Sequence, residues 1–251
     1  MKLDLNCDMG ESFGNYNIGR DEQLMPHLTS CNVACGFHGG DPYHIEKTID
    51  NALLHNLRIG AHPSYPDLQG FGRRKMTVPP DELSSIIKYQ VAAIKGLVES
   101  KGGKLSYVKP HGALYNSIAH NLDEAQVVLE AVRSIDTSLR VMVLAGAPII
   151  ELAQELGIKI IQEGFADRRY ESGTKLMSRS NRGAVLHQPN ECLAQVLLMA
   201  KEQKVQCANG SNESIKVESV CIHGDNANAV DIAQVIHQAL QENNLLHNLV
   251  E

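Results

Sequence analysis

The chain has 251 residues, of which 43% are apolar, and this length and composition suit one large α/β domain with a sizeable core. Its formal net charge is −6 at pH 7 without any block of five like charges, which argues against nucleic acid or an anionic membrane as a partner. The N-terminus lacks a signal-peptide pattern, and no segment approaches the ~18 apolar residues of a membrane span. The cysteines form no C-x-x-C pair. We therefore expect a cytoplasmic protein with reduced thiols.

Short apolar strands alternate with longer helical segments along the whole sequence. Seven strands are expected, at Lys2–Cys7, Ser30–Cys35, Arg58–Ala61, Leu105–Val108, Arg140–Leu144, Lys159–Gln162 and Ser219–His223. Seven βα units without a linker or a low-complexity segment predict one catalytic domain with a parallel sheet over residues 1–251.

Two of the intervening helices carry clear start signals. Asp41-Pro42 places a capping Asp before a Pro at the first helical position, and apolar residues then recur every four positions. Pro79-Pro80-Asp81 opens a second helix, which we expect Gly102 to end. Further helices are expected from about Leu122, Ala147, Pro189 and Ala227.

The alternation of side chains within the first two strands favours a barrel over a doubly wound sheet. A doubly wound sheet buries both faces of its strands, which then read as nearly continuous apolar runs. In the first strand, however, Asp4, Asn6 and Asp8 share one face by the two-residue period of a strand. The second strand places Asn32 on such a face, in line with His38 beyond it. Buried polar groups are costly unless they are paired or used, so we expect a distorted barrel with a polar throat.

Polar and charged side chains also follow almost every predicted strand. In βα folds the carboxyl ends of the strands form the ligand-binding rim. The candidates at this rim are Asp8, Glu11, His38, His62, Lys109, His111, Glu163, Asp167, Arg168, His223 and Asp225. The remaining histidines show no such pattern, and we expect them to be exposed or structural.

The segment Lys109-Pro110-His111-Gly112 carries the strongest chemical signal. A lysine close to an imidazole either has a lowered pKa or stabilises a developing oxyanion. The glycines of Gly36–Gly40 let a backbone approach a ligand closely, and their N–H groups can bind an anion. The Arg73-Arg74 pair is either solvated surface charge or binds a carboxylate or phosphate through two parallel hydrogen bonds. Asp167-Arg168-Arg169 is either an ordinary surface salt bridge or a group that orients an anionic substrate.

Several common catalytic motifs are absent from the sequence. It contains no G-x-x-x-x-G-K-[ST] phosphate loop, no G-x-S-x-G nucleophile elbow and no H-E-x-x-H zinc helix. Nucleotide binding by a familiar loop, serine esterase chemistry and zincin chemistry therefore lack support.

Seven sequence blocks, in order along nearly the whole chain, look like the signatures of one family. The blocks are Asp4–Gly14 (DLNCDMGESFG), Asn32–Pro42 (NVACGFHGGDP), Gly60–Asp67 (GAHPSYPD), Phe71–Arg74 (FGRR), Val108–Asn116 (VKPHGALYN), Gly164–Tyr170 (GFADRRY) and Ile222–Asp225 (IHGD). Together they resemble the LamB/YcsF family, which supplies the A subunit of bacterial ATP-dependent 5-oxoprolinase. The resemblance implies a distorted seven-stranded (β/α) barrel, similar to TIM barrels and to glycoside hydrolase and deacetylase barrels. It also implies ring opening of 5-oxo-L-proline to L-glutamate, coupled to ATP hydrolysis. The enzyme would contain two further subunits, B and C, and ATP would be bound by them or together with them.

The family's chemistry suggests roles for the rim residues as hypotheses. Arg73 or Arg168 would hold the substrate carboxylate, and Lys109 with the Gly39-Gly40 backbone would stabilise charge on the reacting oxygen. Asp8 and one of His62 or His111 would act as general base and acid, with the choice between the histidines open. The other residues assigned to substrate binding are Asn6, Asn32, His38, Arg74, Asp167, His223 and Asp225.

Two rival functions stay open on the sequence alone. In the first, Asp8, His62 and His111 bind a divalent metal and the chain is a deacetylase-like amide hydrolase that needs no ATP. In the second, the chain is a non-catalytic subunit that binds the substrate without turning it over.

Overall fold

Seven parallel strands close into a barrel in the computed structural model, which describes residues 2–179 and 181–247. Each strand pairs with the next in sequence, and the last pairs with the first. Closure leaves the barrel no edge strand and confirms the predicted distorted (β/α) barrel over the doubly wound alternative. The barrel strands are β1 (Asp4–Met9), β2 (Ser30–Ala34), β3 (Arg58–His62), β4 (Leu105–Val108), β5 (Arg140–Leu144), β6 (Ile160–Phe165) and β7 (Ser219–Ile222).

Helices cover the outside of the barrel and bury its outward-facing apolar side chains. They are α1 (Asp21–Leu24), α2 (Pro42–Leu54), α3 (Pro80–Ser100), α4 (Gly112–Ile118), α5 (Leu122–Ile135), α6 (Ile149–Glu155), α7 (Pro189–Glu202) and α8 (Ala229–Glu242). Asp41 caps α2 as expected, since its side chain accepts hydrogen bonds from two backbone N–H groups of the first turn. Every helix of residues 2–179 and 181–247 is too short or too polar to cross a lipid bilayer.

The barrel interior is polar along one wall and apolar along the other. Asp4, Asn6 and Asp8 of β1 point inward, as their alternation predicted, whereas Leu3, Leu5 and Cys7 join the outer core. Asp4 closes the amino-terminal end through Arg58, 2.6 Å away, and through hydrogen bonds from Thr29, Ser30 and Ser219. The opposite wall is filled by a separate apolar cluster of Tyr107, Met142 and Ile161.

Gly60 on β3 makes room for the ring of Tyr107 inside the barrel. A Cβ atom at Gly60 would lie 2.2 Å from that ring, so a larger residue cannot fit without displacing it. The Tyr107 hydroxyl donates a hydrogen bond of 2.7 Å to Asn32 Oδ1 and thereby connects the apolar wall to the polar one.

The observed elements differ from the predicted ones mainly at their ends. Strand β1 begins and ends two residues later than expected, and β3 and β6 extend further toward the rim. Helix α4 was not predicted; it starts immediately after the Lys109–His111 segment, where Gly112 has a φ of +57°. Two short hairpins were also missed, Tyr170–Ser172 with Lys175–Leu176 and Lys204–Gln206 with Asn212–Ser214.

Candidate active site

A cavity of about 500 Å³ opens at the carboxyl ends of the barrel strands. This volume suits a small molecule. Of the side chains predicted for the site, those on the cavity wall are Asp8, His62, Arg73, Lys109, His111, Arg168, His223 and Asp225. The wall also includes Glu11, Phe71, Phe165 and the segment 175–179.

The ammonium group of Lys109 lies at the floor of the cavity between two carboxylates. Its Nζ atom is 2.8 Å from Asp8 Oδ1 and 2.8 Å from Glu163 Oε1. Lys109 is only 3% exposed and Glu163 is fully buried, so these ion pairs are shielded from water. Removal of one member would leave a buried charge without its partner, which is strongly destabilising.

Two asparagines hold the Asp8 carboxylate in place from below. Asn32 Nδ2 donates hydrogen bonds of 2.8 Å to both Asp8 Oδ1 and Asn6 Oδ1. Asn6 Nδ2 in turn donates to Glu163 Oε1 at 3.1 Å. Both asparagines are fully buried below the cavity wall, where they support Asp8 and Glu163, and their assignment to substrate binding stays a prediction.

The charges of Asp8 and Lys109 stabilise each other. Burial acts to raise the pKa of Asp8, but His62 and Lys109 outweigh it and lower that pKa well below its ordinary range. Burial acts to lower the pKa of Lys109, but Asp8, Cys221 and Glu163 raise it well above its ordinary value. Lys109 is therefore a fixed cation suited to stabilising negative charge, and the alternative of a lysine with a lowered pKa is wrong.

Two imidazole rings, those of His62 and His111, form the side wall of the cavity. His62 Nδ1 is 2.6 Å from the carbonyl oxygen of Lys109, and His111 Nε2 is 2.9 Å from that of Phe71. A carbonyl oxygen only accepts hydrogen bonds, so each of these nitrogens carries a proton. The other two nitrogens, His62 Nε2 and His111 Nδ1, face each other at 2.9 Å, and His62 Nε2 is also 3.3 Å from Asp8 Oδ2.

Behind this pair lies His38, whose ring stacks on that of His111. The ring centroids are 3.7 Å apart and the planes are nearly parallel. His38 is 1% exposed and lies behind the cavity wall, and its predicted contact with substrate stays a prediction. Its Nε2 atom is 3.3 Å from Glu11 Oε1. Burial first, and then His62, lowers the pKa of His38 well below its ordinary value.

A strained turn presses against the stacked histidines. Phe71 has a φ of +54°, which is rare for a residue with a side chain, and it is followed by Gly72 with a φ of +63°. A Cβ atom at Gly72 would lie 2.7 Å from the His111 ring and 2.9 Å from the Cβ of His38. The turn therefore needs glycine here, and it fixes the carbonyl group that orients His111.

Arginine side chains give the outer part of the cavity a positive charge. Arg73 Nη2 is 2.7 Å from Asp225 Oδ2, and Arg179 Nη1 is 3.9 Å from the same oxygen. Arg168 donates a 2.7 Å hydrogen bond to the Met177 carbonyl, while its buried Nε lacks a hydrogen-bond partner among the described residues. Burial, and then Arg179, lowers the pKa of Arg168 to about 10, so the group is still charged at neutral pH. Such a rim suits an anionic ligand.

Several other predicted site residues lie outside the cavity wall and support it. Asp167 is fully buried and accepts a 2.7 Å hydrogen bond from His223 Nδ1. The Arg74 guanidinium pairs with Asp67 and so closes the 67–74 loop rather than reaching the cavity. Gly40 donates its N–H to the Glu11 carbonyl at 3.3 Å, and a Cβ at Gly39 would lie 2.9 Å from that same oxygen. These glycines pack two loops together, and their predicted role toward substrate stays a prediction.

Three parts of the site were not assigned a role from the sequence. Glu11 and Glu163 were noted at strand ends, but only the closed barrel shows that they face His38 and Lys109. The segment 175–179 reaches the cavity by way of a hairpin with no apolar periodicity. For Glu163, the alternation of side chains within β6, which places this residue on the inward face, is the one sequence signal that could have indicated its position.

Two clusters of ligand-type side chains lie close enough together to hold a metal ion, within residues 2–179 and 181–247. The first consists of Glu11, His38, His62 and His111, and the second of Asp8, Cys221 and His223. In each cluster one ligand atom per residue lies within 4.8 Å of the others. The second cluster already contains a cation, because Lys109 Nζ is 2.8 Å from Asp8 Oδ1 and 3.3 Å from Cys221 Sγ.

The chain is similar to proteins of one family along nearly its full length. The LamB/YcsF family profile matches residues 3–250. The A subunit of the 5-oxoprolinase of Pyrococcus furiosus is 45% identical over 242 residues, which cover 96% of this chain and 95% of that protein. The crystal structure of the lactam utilization protein from Thermus thermophilus superposes with a TM-score of 0.93 at 36% identity, over 99% of this chain and 100% of that one. A family 4 carbohydrate esterase from Streptomyces lividans shares the fold alone, with a TM-score of 0.53 at 11% identity over 100% of this chain and 93% of that one.

Proposed function

Because the chain belongs to the LamB/YcsF family, we propose that it acts as the A subunit of a 5-oxoprolinase, which hydrolyses 5-oxo-L-proline to L-glutamate. We further propose that this reaction consumes ATP and requires two partner subunits. Relatives that cover 96% of the chain are named as the A subunit of 5-oxoprolinase. 5-Oxoproline is a lactam, the class of compound in the name of the Thermus thermophilus protein.

The observation that carries the proposal is the buried Lys109 cation on the cavity floor, beside the carboxylate of Asp8. Opening a lactam places negative charge on the former carbonyl oxygen and requires a proton on the ring nitrogen. A preorganised ammonium group in a site shielded from water stabilises the first of these changes. The neighbouring carboxylate can carry the proton needed for the second.

The arrangement of charges suggests one orientation for the substrate. Its carboxylate would lie at the arginine rim, where the buried Nε of Arg168 has no hydrogen-bond partner within residues 2–179 and 181–247 and where Arg73 is close by. Its amide oxygen would then point to Lys109 Nζ on the floor. A carboxylate bound by a guanidinium group is held in a defined geometry, which brings the lactam carbon next to Asp8.

ATP would overcome the resonance stabilisation of the amide. Transfer of a phosphoryl group to the amide oxygen makes the ring carbon electrophilic. Water then adds to that carbon, the C–N bond breaks as the nitrogen takes up a proton, and a second water hydrolyses the resulting acyl phosphate to glutamate and phosphate. The sequence lacks a familiar phosphate loop, so we propose that the partner subunits bind the nucleotide or share in binding it.

In this chain, Asp8 Oδ2 would take the proton from the attacking water and return it to the ring nitrogen. Asp8 is held ionised by its neighbours, while Lys109 stays charged beside Oδ1. The sequence-based hypothesis gave the acid role to His62 or His111. In the structure His62 Nδ1 and His111 Nε2 donate to backbone carbonyl groups. The other two nitrogens, His62 Nε2 and His111 Nδ1, face each other, so neither ring has a free N–H to give to the substrate. We therefore assign the proton transfers to Asp8.

The test is glutamate formation from 5-oxoproline by the purified chain, with ATP and both partner subunits, and with each component omitted in turn. The expected result is glutamate only when all components are present, with one ADP formed for each glutamate. Glutamate formed without ATP would instead support the rival amide hydrolase, and glutamate formed by the partners alone would remove this chain from the chemistry.

A further inference from the structure

We propose that Glu11, His38, His62 and His111 together bind one divalent first-row transition-metal ion in the wall of the cavity. Three imidazoles and one carboxylate are a donor set that suits zinc, cobalt and related ions. The four residues come from different loops and strand ends, so only the folded barrel brings them together.

The spacing of the ligand atoms fits such an ion. Two ligand atoms bonded to one ion at about 2.0–2.1 Å lie roughly 2.8–3.6 Å apart when the bond angle is between about 90° and 120°. In the structure, His62 Nε2 and His111 Nδ1 are 2.9 Å apart, and His38 Nε2 and Glu11 Oε1 are 3.3 Å apart. His111 Nδ1 and Glu11 Oε1, at 3.7 Å, are slightly wider apart than this range. Small movements of the side chains would bring all four atoms, which lie within 4.8 Å of one another, onto one ion.

Outer hydrogen bonds already select the ring nitrogens that would bind the ion. Histidines that bind metals usually donate their second N–H to a carbonyl or carboxylate oxygen, which sets the tautomer and the ring orientation. His62 donates from Nδ1 to the Lys109 carbonyl and His111 donates from Nε2 to the Phe71 carbonyl. The lone pairs of His62 Nε2 and His111 Nδ1 consequently point at each other, and only a cation or a proton between them makes this arrangement stable.

Buried polar atoms at the same place lack hydrogen bonds. Among the described residues, Glu11 Oε1 and both nitrogens of His38 have no hydrogen-bond partner, although both side chains are buried. Unpaired polar groups of this kind are costly in a protein interior. A bound metal ion would compensate the buried Glu11 carboxylate and bind His38 Nε2 at the same time.

The second cluster, formed by Asp8, Cys221 and His223, is the weaker candidate. The Lys109 ammonium already neutralises Asp8 and is 3.3 Å from Cys221 Sγ. His223 Nδ1 is engaged with Asp167 at 2.7 Å.

The ion would lie beside the proposed catalytic carboxylate, since His62 Nε2 is 3.3 Å from Asp8 Oδ2. A divalent ion there would orient the attacking water and make it easier to deprotonate. This role rests on the proposed function, whereas the existence of the metal site does not.

The test is direct metal binding to the chelator-treated chain, with Zn²⁺ followed by calorimetry and Co²⁺ by visible absorption. We expect one ion per chain and a cobalt spectrum without the sulfur-to-metal charge-transfer band that a cysteine ligand would produce. Glu11→Gln and His38→Gln, which closely preserve side-chain size, should each weaken zinc binding more than about 100-fold, because changes in the outer shell of a site already cost about 10–100-fold.

Two control variants separate this site from other sources of binding. His44→Gln changes a histidine that also contacts a carboxylate, Asp41, but that lies outside both clusters, so zinc affinity should not change. Cys221→Ser alters only the second cluster and should also leave zinc affinity unchanged. Circular dichroism establishes that each variant is folded before its affinity is measured.

Three results would overturn the metal site. They are the absence of zinc binding to the folded wild-type chain, zinc binding that survives both Glu11→Gln and His38→Gln, and a cobalt spectrum with sulfur ligation. Glutamate formation that continues in the presence of chelator, together with any of these results, would remove the metal and leave the proposed function intact. A confirmed metal site with no glutamate formed under any condition would keep the metal site and overturn the proposed function.

Discussion

Replacing Lys109 with methionine tests how the charges on the cavity floor are balanced. Methionine keeps most of the length of the side chain but removes the ammonium that lies 2.8 Å from both Asp8 and Glu163. Loss of one partner from a buried ion pair costs about 3–5 kcal/mol of unfolding free energy. Because two carboxylates lose the same cation here and Glu163 is fully buried, we expect a value toward the upper end of that range.

Two features of Lys109→Met follow from the same reasoning. Lys109 helps to lower the folded-state pKa of Asp8, so the stability linked to that pair is present above the ordinary pKa of the carboxyl and is lost as pH falls. The destabilisation caused by Lys109→Met should therefore be largest near neutral pH and shrink in acid. Adding Glu163→Gln removes one of the unpaired charges and should restore part of the lost stability, a coupling that a double-mutant cycle measures. Glutamate formation should fall at least about 100-fold, the usual effect of losing an oxyanion donor.

The assay is urea unfolding at several pH values, with Lys47→Met as the matched control. Lys47 contacts Glu22 at 2.7 Å, but both side chains are more than half exposed, so this substitution should change stability little. A Lys109→Met protein that is as stable as the control, with the same pH dependence, would refute the ion-pair argument. An unchanged rate of glutamate formation would refute the role of Lys109 in the chemistry.

Three further substitutions test other parts of the structure. Gly60→Ala places a methyl group against the Tyr107 ring, and we expect it to lower the unfolding free energy by about 1–3 kcal/mol in urea titrations. Stability equal to wild type would show that the side chains inside the barrel can rearrange at little cost. Arg168→Gln removes the proposed charge-assisted contact with the substrate carboxylate, which is worth about 1.5–3 kcal/mol. Steady-state kinetics should therefore show a KM for 5-oxoproline that is about 10-fold higher or more. An unchanged KM would place the carboxylate elsewhere. Burial acts to raise the pKa of Asp4, but Arg58 and the hydroxyl hydrogen bonds outweigh burial, so the folded-state pKa is below the ordinary 3.8. The stability that this carboxylate contributes is therefore lost as pH falls below that value. Asp4→Asn should therefore flatten the loss of stability in acid unfolding curves, and an unchanged slope would contradict the pairing.

The barrel and much of its site could be predicted from the sequence because both depend on local patterns. The two-residue alternation in β1 correctly placed Asn6 and Asp8 inside the barrel. The ends of parallel strands meet at one rim, which is why Asp8, His62 and Lys109 could be grouped without knowing any distance.

Other features depend on contacts between distant segments, which leave little local signal. The 67–74 loop turns Arg74 away from the cavity and onto Asp67, while its neighbour Arg73 reaches Asp225. Nothing in the pair of arginines distinguishes the two. The stacking of His38 on His111 likewise arises only when the loop after β2 packs on the segment after β4. Sequence reasoning therefore located the site but could not separate residues that touch the cavity from those that support it.

The proposed role of Asp8 is to carry the proton when the ring of 5-oxoproline is opened in the throat of this barrel. Its most direct test is kcat for glutamate formation in the complete complex with ATP, measured for Asp8→Asn and for the control Asp50→Asn, which changes an exposed aspartate paired with Lys101. We predict that Asp8→Asn lowers kcat by about 10²–10⁴-fold and that Asp50→Asn equals wild type. A folded Asp8→Asn chain that supports the wild-type rate would contradict the claim and place the chemistry outside this site.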